Sequence, residues 1–117
     1  MKLPQRPLTN SDLLKYAKHV PYFRGVYMKN LLPPKPWKNE SGIINLDSSS
    51  GPGTHWVAYR KRGSRVQYFD SFGNLRPPKE VINYFRGSKI YYNYEKHQKY
   101  NTFSCGHLCL KFIHEQR

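Results

Sequence analysis

A thiol, an imidazole and a carboxylate gathered at one site can break an acyl bond: the imidazole takes the thiol's proton, the carboxylate holds the imidazole, and the thiolate attacks. Two cysteines are present, Cys105 and Cys109. Cys105 opens the stretch Ser104 to His114, where Leu108, Cys109, Phe112 and Ile113 recur at helical spacing behind a Ser cap. A helix N-terminus lowers a thiol's pKa below its free value of about 8.5, and its backbone N–H groups are natural donors to an oxyanion. Gly106 beside the thiol permits close approach of a substrate backbone. Cys109 lies one turn further on, on the apolar face, and reads as a small buried hydrophobe.

The imidazole and the carboxylate come from a hairpin. Thr54 to Lys61 and Arg65 to Asp70 are two β-rich runs around Arg62 and Gly63, and Gly63 can supply the positive φ of a tight turn. If Lys61 pairs with Ser64, His55 falls directly opposite Asp70, Val57 opposite Tyr68, Tyr59 opposite Val66 and Trp56 opposite Phe69. Cross-strand neighbours have Cβ atoms roughly 4.5 to 5.5 Å apart, within reach of an imidazole-to-carboxylate hydrogen bond. Gln98, in the loop before the helix, can add a side-chain N–H to the oxyanion donors. Singly, each residue also has an ordinary reading: a packed cysteine, a structural histidine, an aspartate capping a turn. Cys105, His107, Cys109 and His114 suggest zinc, but these side chains point to different faces of one helix and no second Cys pair completes a tetrahedral set.

These residues need a frame. Met1 to Asn10, with Pro4 and Pro7, reads as a leader that docks late or stays mobile. Ser11 caps an amphipathic helix with Leu13, Leu14, Ala17 and Val20 on one face, stopped by Pro21. Pro33 to Gly42 is an irregular connection, Gly42 to Asp47 a strand, and the Ser-Gly-Pro-rich segment after it a flexible loop. Pro77 and Pro78 ahead of Lys79 to Phe85, with Gly87 after, mark a further helix. Lys89 to Tyr94 is a strand, and the alternation within the hairpin puts apolar cover on both faces of the sheet.

The length, 117 residues, suits one domain spanning 1–117. Lys and Arg outnumber Asp and Glu by 20 to 7, a net charge of +13, so acidic partners are expected; an aromatic share of 15% is too rich for a disordered basic tail. Cationic residues interrupt every apolar run, which excludes a transmembrane helix and a secretory h-region, and no membrane partner is expected. A spacing of four is poor for a Cys105–Cys109 disulfide, which fits a reducing compartment.

The chain resembles adenain, the adenovirus maturation protease family, from roughly Ser11 to His114. The residues that carry the resemblance are Gly53-Thr-His-Trp-Val-Ala-Tyr59, Tyr68-Phe-Asp-Ser-Phe-Gly73, Gln98 with Asn101, Cys105-Gly-His-Leu-Cys109, and the earlier Pro21-Tyr-Phe-Arg-Gly-Val-Tyr27 and Ile43-Ile-Asn-Leu. The resemblance implies Cys105 as nucleophile, His55 as general base, Asp70 as the orienting acid where adenain has Glu, and Gln98 as oxyanion donor. It implies an α+β cysteine-protease fold shared with SUMO-specific proteases, a small mixed sheet bearing His and Asp packed on the helix of the nucleophilic Cys, shortened at the C-terminus because the chain ends twelve residues after Cys105. By the same resemblance the substrates are viral precursor proteins cut at hydrophobic and glycine sites, DNA is an activator, and the protein works in the virion and host nucleus; no cofactor is expected for the chemistry, and a monomer is expected. Adenain's disulfide-linked activating peptide does not carry over, for want of a cysteine outside the site. Two other readings are an inactive nucleic-acid-binding module on a protease scaffold and a protease of ubiquitin-like modifiers.

Overall fold

The computed structural model describes residues 2–47, 55–73, 75–93 and 104–115. Five strands form one sheet in sequence order: β1 (Phe23–Met28), β2 (Asn39–Asn45), β3 (Trp56–Arg62), β4 (Arg65–Phe69) and β5 (Lys89–Tyr92). The outer pairs β1/β2 and β4/β5 are parallel; the two inner pairs are antiparallel. The helices are α1 (Asn10–Ala17), α2 (Lys79–Tyr84) and α3 (Cys105–Glu115). The fold is thus the mixed α+β arrangement expected.

Both faces of the sheet are covered, each by its own core. Trp56, Ala58, Phe69 and Ile43 meet Leu13 and Ala17 of α1 and Cys109, Leu110 and Ile113 of α3. On the other face Ile44, Val57, Tyr59, Val66 and Tyr68 meet Val81, Tyr84 and Phe85 of the α2 segment. Gly42 sits opposite Tyr59, and a Cβ there would fall 2.7 Å from the Tyr59 ring, so close ring packing requires glycine.

The local chemistry accounts for several boundaries. α1 begins earlier than Ser11 because Thr9 and Asp12 form a capping box: the Asp12 N–H donates to Thr9 Oγ1 at 3.2 Å and the Thr9 N–H to the Asp12 carboxylate at 2.9 Å. Leu14, expected on the buried face, is 44% exposed. α2 follows Pro78 directly, and Gly87 after it takes φ +86°. β2 starts at Asn39, inside the stretch expected to be irregular, because Asn39 to Ser41 pair with Arg60 to Arg62. β1 carries no period-2 pattern, with only Gly25 buried, so nothing in its residues announces a strand. The flexible loop expected after Asp47 lies outside the described residues, as does Tyr94.

The leader does not hang free. Leu8 is buried, Leu3 packs on the same core, and the Trp56 indole Nε1 donates to the Leu8 carbonyl at 3.2 Å. Burial of Leu8 and the packing of Leu3 select the docked alternative of the two expected for this segment.

Candidate active site

The hairpin register differs from the one read off the sequence. Arg62 pairs with Arg65, Tyr59 with Tyr68 and Ala58 with Phe69, so the turn is Gly63-Ser64 and not Arg62-Gly63. The cause is that Gly63, at φ +59°, takes the first central position of the turn. Each β3 residue therefore meets a β4 residue two positions later than expected, and a shift of two preserves the face. His55 and Asp70 are diagonal in this register, not opposed. They still meet, just beyond the strand ends: His55 Nε2 lies 2.8 Å from Asp70 Oδ1, with the Asp70 side chain 2% exposed. The residue that the register sets opposite His55 is Phe72, whose ring stacks on the imidazole at 4.4 Å and 7°. Only the corrected register makes that contact legible in the sequence.

Cys105 is the first residue of α3, and the Ser104 carbonyl accepts the Leu108 amide at 2.9 Å. With Nε2 on Asp70, Nδ1 is the ring nitrogen left for the thiol, and His55 and Cys105 lie close enough for each to shift the other's proton affinity. Burial pushes the His55 imidazole down, but the hydrogen bonds to Asp70 and Cys105, with their negative charges, hold it up at about 9. Burial pushes the Cys105 thiol up; the His55 hydrogen bond and charge, and hydrogen bonds from the Trp56 and Gly106 amides, outweigh it and leave the thiol below its ordinary value. The two shifts act together to favour a thiolate–imidazolium pair.

Gly106 is also packed against neighbours within the chain. A Cβ at Gly106 would fall 3.2 Å from Leu8 Cβ and 3.5 Å from Trp56 Cδ1, so its bare Cα admits the leader and the indole. His107 Nε2 donates to the Pro4 carbonyl at 2.7 Å, and His114 Nε2 to the Tyr16 carbonyl at 2.8 Å, so neither joins Cys105. Cys109 is fully buried, and burial first, then the charges of Cys105 and Asp70, pushes its thiol well above the ordinary value. Among the described residues no three His, Cys, Asp or Glu side chains are grouped to hold a metal. Gln98 lies outside the described residues. Of the four residues picked out by sequence, His55, Asp70 and Cys105 are brought together; the sequence reading missed Phe72 against the imidazole and the leader against the start of α3.

No family model matches the chain. It is 36% identical over 67 residues to the cysteine protease S273R of African swine fever virus (isolate Tick/Malawi/Lil 20-1/1983), a match covering 54% of this chain. The chain spans about a quarter, 24%, of that curated relative. The crystal structure of the African swine fever virus pS273R protease is 28% identical, with a TM-score of 0.48, over 68% of this chain and 34% of that one. The SUMO protease Ulp1, solved with its catalytic cysteine oxidised to a sulfinic acid, superposes with a TM-score of 0.55 at 14% identity over 94% of this chain and 66% of its own. The five-stranded sheet with Cys105 at the head of α3 has the fold of that cysteine protease.

Proposed function

We propose that the protein is a cysteine endopeptidase. The observation that carries the reading is one imidazole, His55, joined through Nε2 to buried Asp70 at 2.8 Å and electrostatically coupled to Cys105 at a helix N-terminus. The Cys105 thiolate attacks the scissile carbonyl carbon, and the oxyanion draws on backbone amides at the start of α3. The His55 imidazolium gives its proton to the leaving amine, which departs and leaves a thioester on Cys105. Water, deprotonated by His55, then attacks the thioester; the acid product leaves and the thiolate returns. No cofactor takes part in these steps. Viral precursor proteins cut at hydrophobic and glycine sites are the substrates that the adenain resemblance favours, and proteins joined to ubiquitin-like modifiers are the alternative that the Ulp1 fold favours.

The test is the pH dependence of Cys105. Alkylation by iodoacetamide, followed by mass spectrometry, is expected to run faster at pH 7 than that of a free thiol, which is only a few per cent thiolate there. Hydrolysis of a fluorogenic Leu-Ala-Gly-Gly amide is expected to fall as pH rises through about 9, because the imidazolium that protonates the leaving amine loses its proton there. Alkylation that only rises through the ordinary thiol range, with no alkaline fall in hydrolysis, overturns the reading.

DNA stimulation belongs to the same proposal, and a specific surface favours it. Arg62, Arg65 and Lys89 are register partners on β3, β4 and β5, forming a cationic row about 10 Å long on one face of the sheet. Arg60, Gln67 and Tyr91 form the next row, with Arg65 and Lys89 over the Tyr91 ring at 5.1 and 5.3 Å. The one acidic residue in the five strands, Glu40, pairs with Lys61 and so belongs to the opposite face. Affinity for duplex DNA is expected to fall linearly with log salt, and the double substitution Arg65→Ala and Lys89→Ala to reduce that slope by about 2. Hydrolysis should rise with DNA. Binding without thiol reactivity would instead indicate the inactive nucleic-acid-binding module, and negligible affinity at low salt would remove DNA from the proposal.

A further inference from the structure

The acid of the site is held by its main chain. β4 stops at Phe69 and the last ladder pair with β5 is Tyr68 with Tyr92, so among the described residues Asp70 has no strand partner of its own. The Asn93 side chain takes that place. The Asp70 N–H donates to Asn93 Oδ1 at 2.8 Å, and Asn93 Nδ2 donates to the Asp70 carbonyl at 2.7 Å. In extended backbone the N–H and C=O of one residue point the same way, so a carboxamide, with donor and acceptor side by side, can meet both. A carboxylate lacks the donor, and an aliphatic side chain lacks both groups.

We propose that Asn93 is a positioning residue that sets the Asp70–His55 pair from the end of β5. Asp70 Oδ1 accepts the His55 ring N–H at 2.8 Å and the Phe72 N–H at 3.0 Å, while Oδ2 is buried with no partner among the described residues. The carboxylate's aim at the imidazole therefore depends on Oδ1 and on where the main chain places it. The same turn, closed by the Gly73 N–H on the Asp70 carbonyl at 2.9 Å, carries the Phe72 ring that stacks on His55. One carboxamide thus fixes a segment that touches the imidazole twice, at its edge and on its face. The inference rests on the Cys105–His55–Asp70 reading; Asn93 itself bonds the Asp70 main chain.

The titratable groups facing His55 are Asp70, from the end of β4, and Cys105, from α3, and a readout on the imidazole isolates the effect. In the full chain labelled with 13C-histidine, the His55 ring is expected to titrate at about 9 by NMR. Asn93→Ala should move that titration down toward 6.5, and Asn93→Ser, which keeps one hydrogen-bonding group, should fall between. Hydrolysis of the Leu-Ala-Gly-Gly amide should lose about 10- to 100-fold in kcat with KM unchanged, the scale of a small misplacement of a catalytic group. Should Asn93→Ala fail to fold, Asn93→Ser carries the test. A titration and kcat that stay at wild-type values in folded variants, with only a lower melting temperature, overturn the proposal while the triad stands. A wild-type His55 that titrates at its ordinary value overturns the triad, and the role of Asn93 with it.

Discussion

Cys105→Ala is expected to abolish peptide cleavage, a loss of about 10⁵- to 10⁶-fold, while Cys109→Ala leaves turnover within a few fold of wild type. Four residues apart on one helix, the two thiols occupy opposite chemical situations. Cys105 heads α3, where the His55 imidazole and the Trp56 and Gly106 amides outweigh burial and favour its thiolate. Cys109 is fully buried in the core against the sheet, where burial keeps its thiol neutral and unreactive. Its replacement by Ala opens a small void costing about 1 kcal/mol, which a denaturation curve would show and an assay at ambient temperature would not. Asp70→Asn is expected to fall between, at about 10²- to 10⁴-fold, because the acid holds and charges the imidazole but does not attack. Mass spectrometry of the protein treated with a thiol-reactive peptide probe reads the assignment directly: adduct at Cys105 supports it, and adduct at Cys109 or equal activity losses in the two variants defeat it.

What the sequence disclosed follows from which signals are local. Pro78 and Gly87 bracket α2, and the period of Leu108, Cys109, Phe112 and Ile113 marks α3, because caps and helical periodicity lie within one segment. The turn was harder: Arg62, Gly63 and Ser64 allow two hairpins, and only the assembled sheet chooses between them, with Gly63 N–H donating to the Lys38 carbonyl and Lys89 N–H to the Ser64 carbonyl. His55 and Asp70 meet in either hairpin because the two registers differ by two residues and keep the face. β1 was hidden for a different reason. It pairs in parallel with β2, whose own start depends on β3, and its residues show no alternation. Asn93 was invisible as a partner of Asp70 since the two are 23 positions apart and meet only through the parallel β4/β5 ladder.

Glu40→Leu is expected to destabilise the fold by about 3–5 kcal/mol, the range for removing one partner from a buried charged network and a large part of the 5–15 kcal/mol that holds a typical domain together. Glu40 is fully buried on the α2 face of β2. Its Oε1 accepts Arg24 Nη1 at 3.0 Å and the Trp37 N–H, and its Oε2 accepts the hydroxyls of Tyr59 and, at 2.9 Å, Tyr84. Arg24 in turn donates to the Lys35 carbonyl at 2.6 Å and lies 4.5 Å over the Trp37 ring. One carboxylate thereby ties β1, β3, α2 and the Pro-rich connection to β2, and burial together with its charge keeps the Tyr59 hydroxyl well above its ordinary pKa and available as a donor. Leucine would strip the Arg24 guanidinium of its carboxylate, leaving it the Lys35 carbonyl, and would leave the buried Tyr59 and Tyr84 hydroxyls without their acceptor. Tyr84→Phe removes one hydroxyl and should cost about 1–2 kcal/mol; combined with Glu40→Leu it should add far less than its own cost, since its partner is already gone. Urea denaturation of the two single variants and the double measures both quantities. The network lies across the sheet from α3, so in Glu40→Leu protein that remains folded the His55 titration should stay near about 9. Full additivity of the two substitutions, or a Glu40→Leu cost below about 1 kcal/mol, would show that the fold does not depend on this carboxylate.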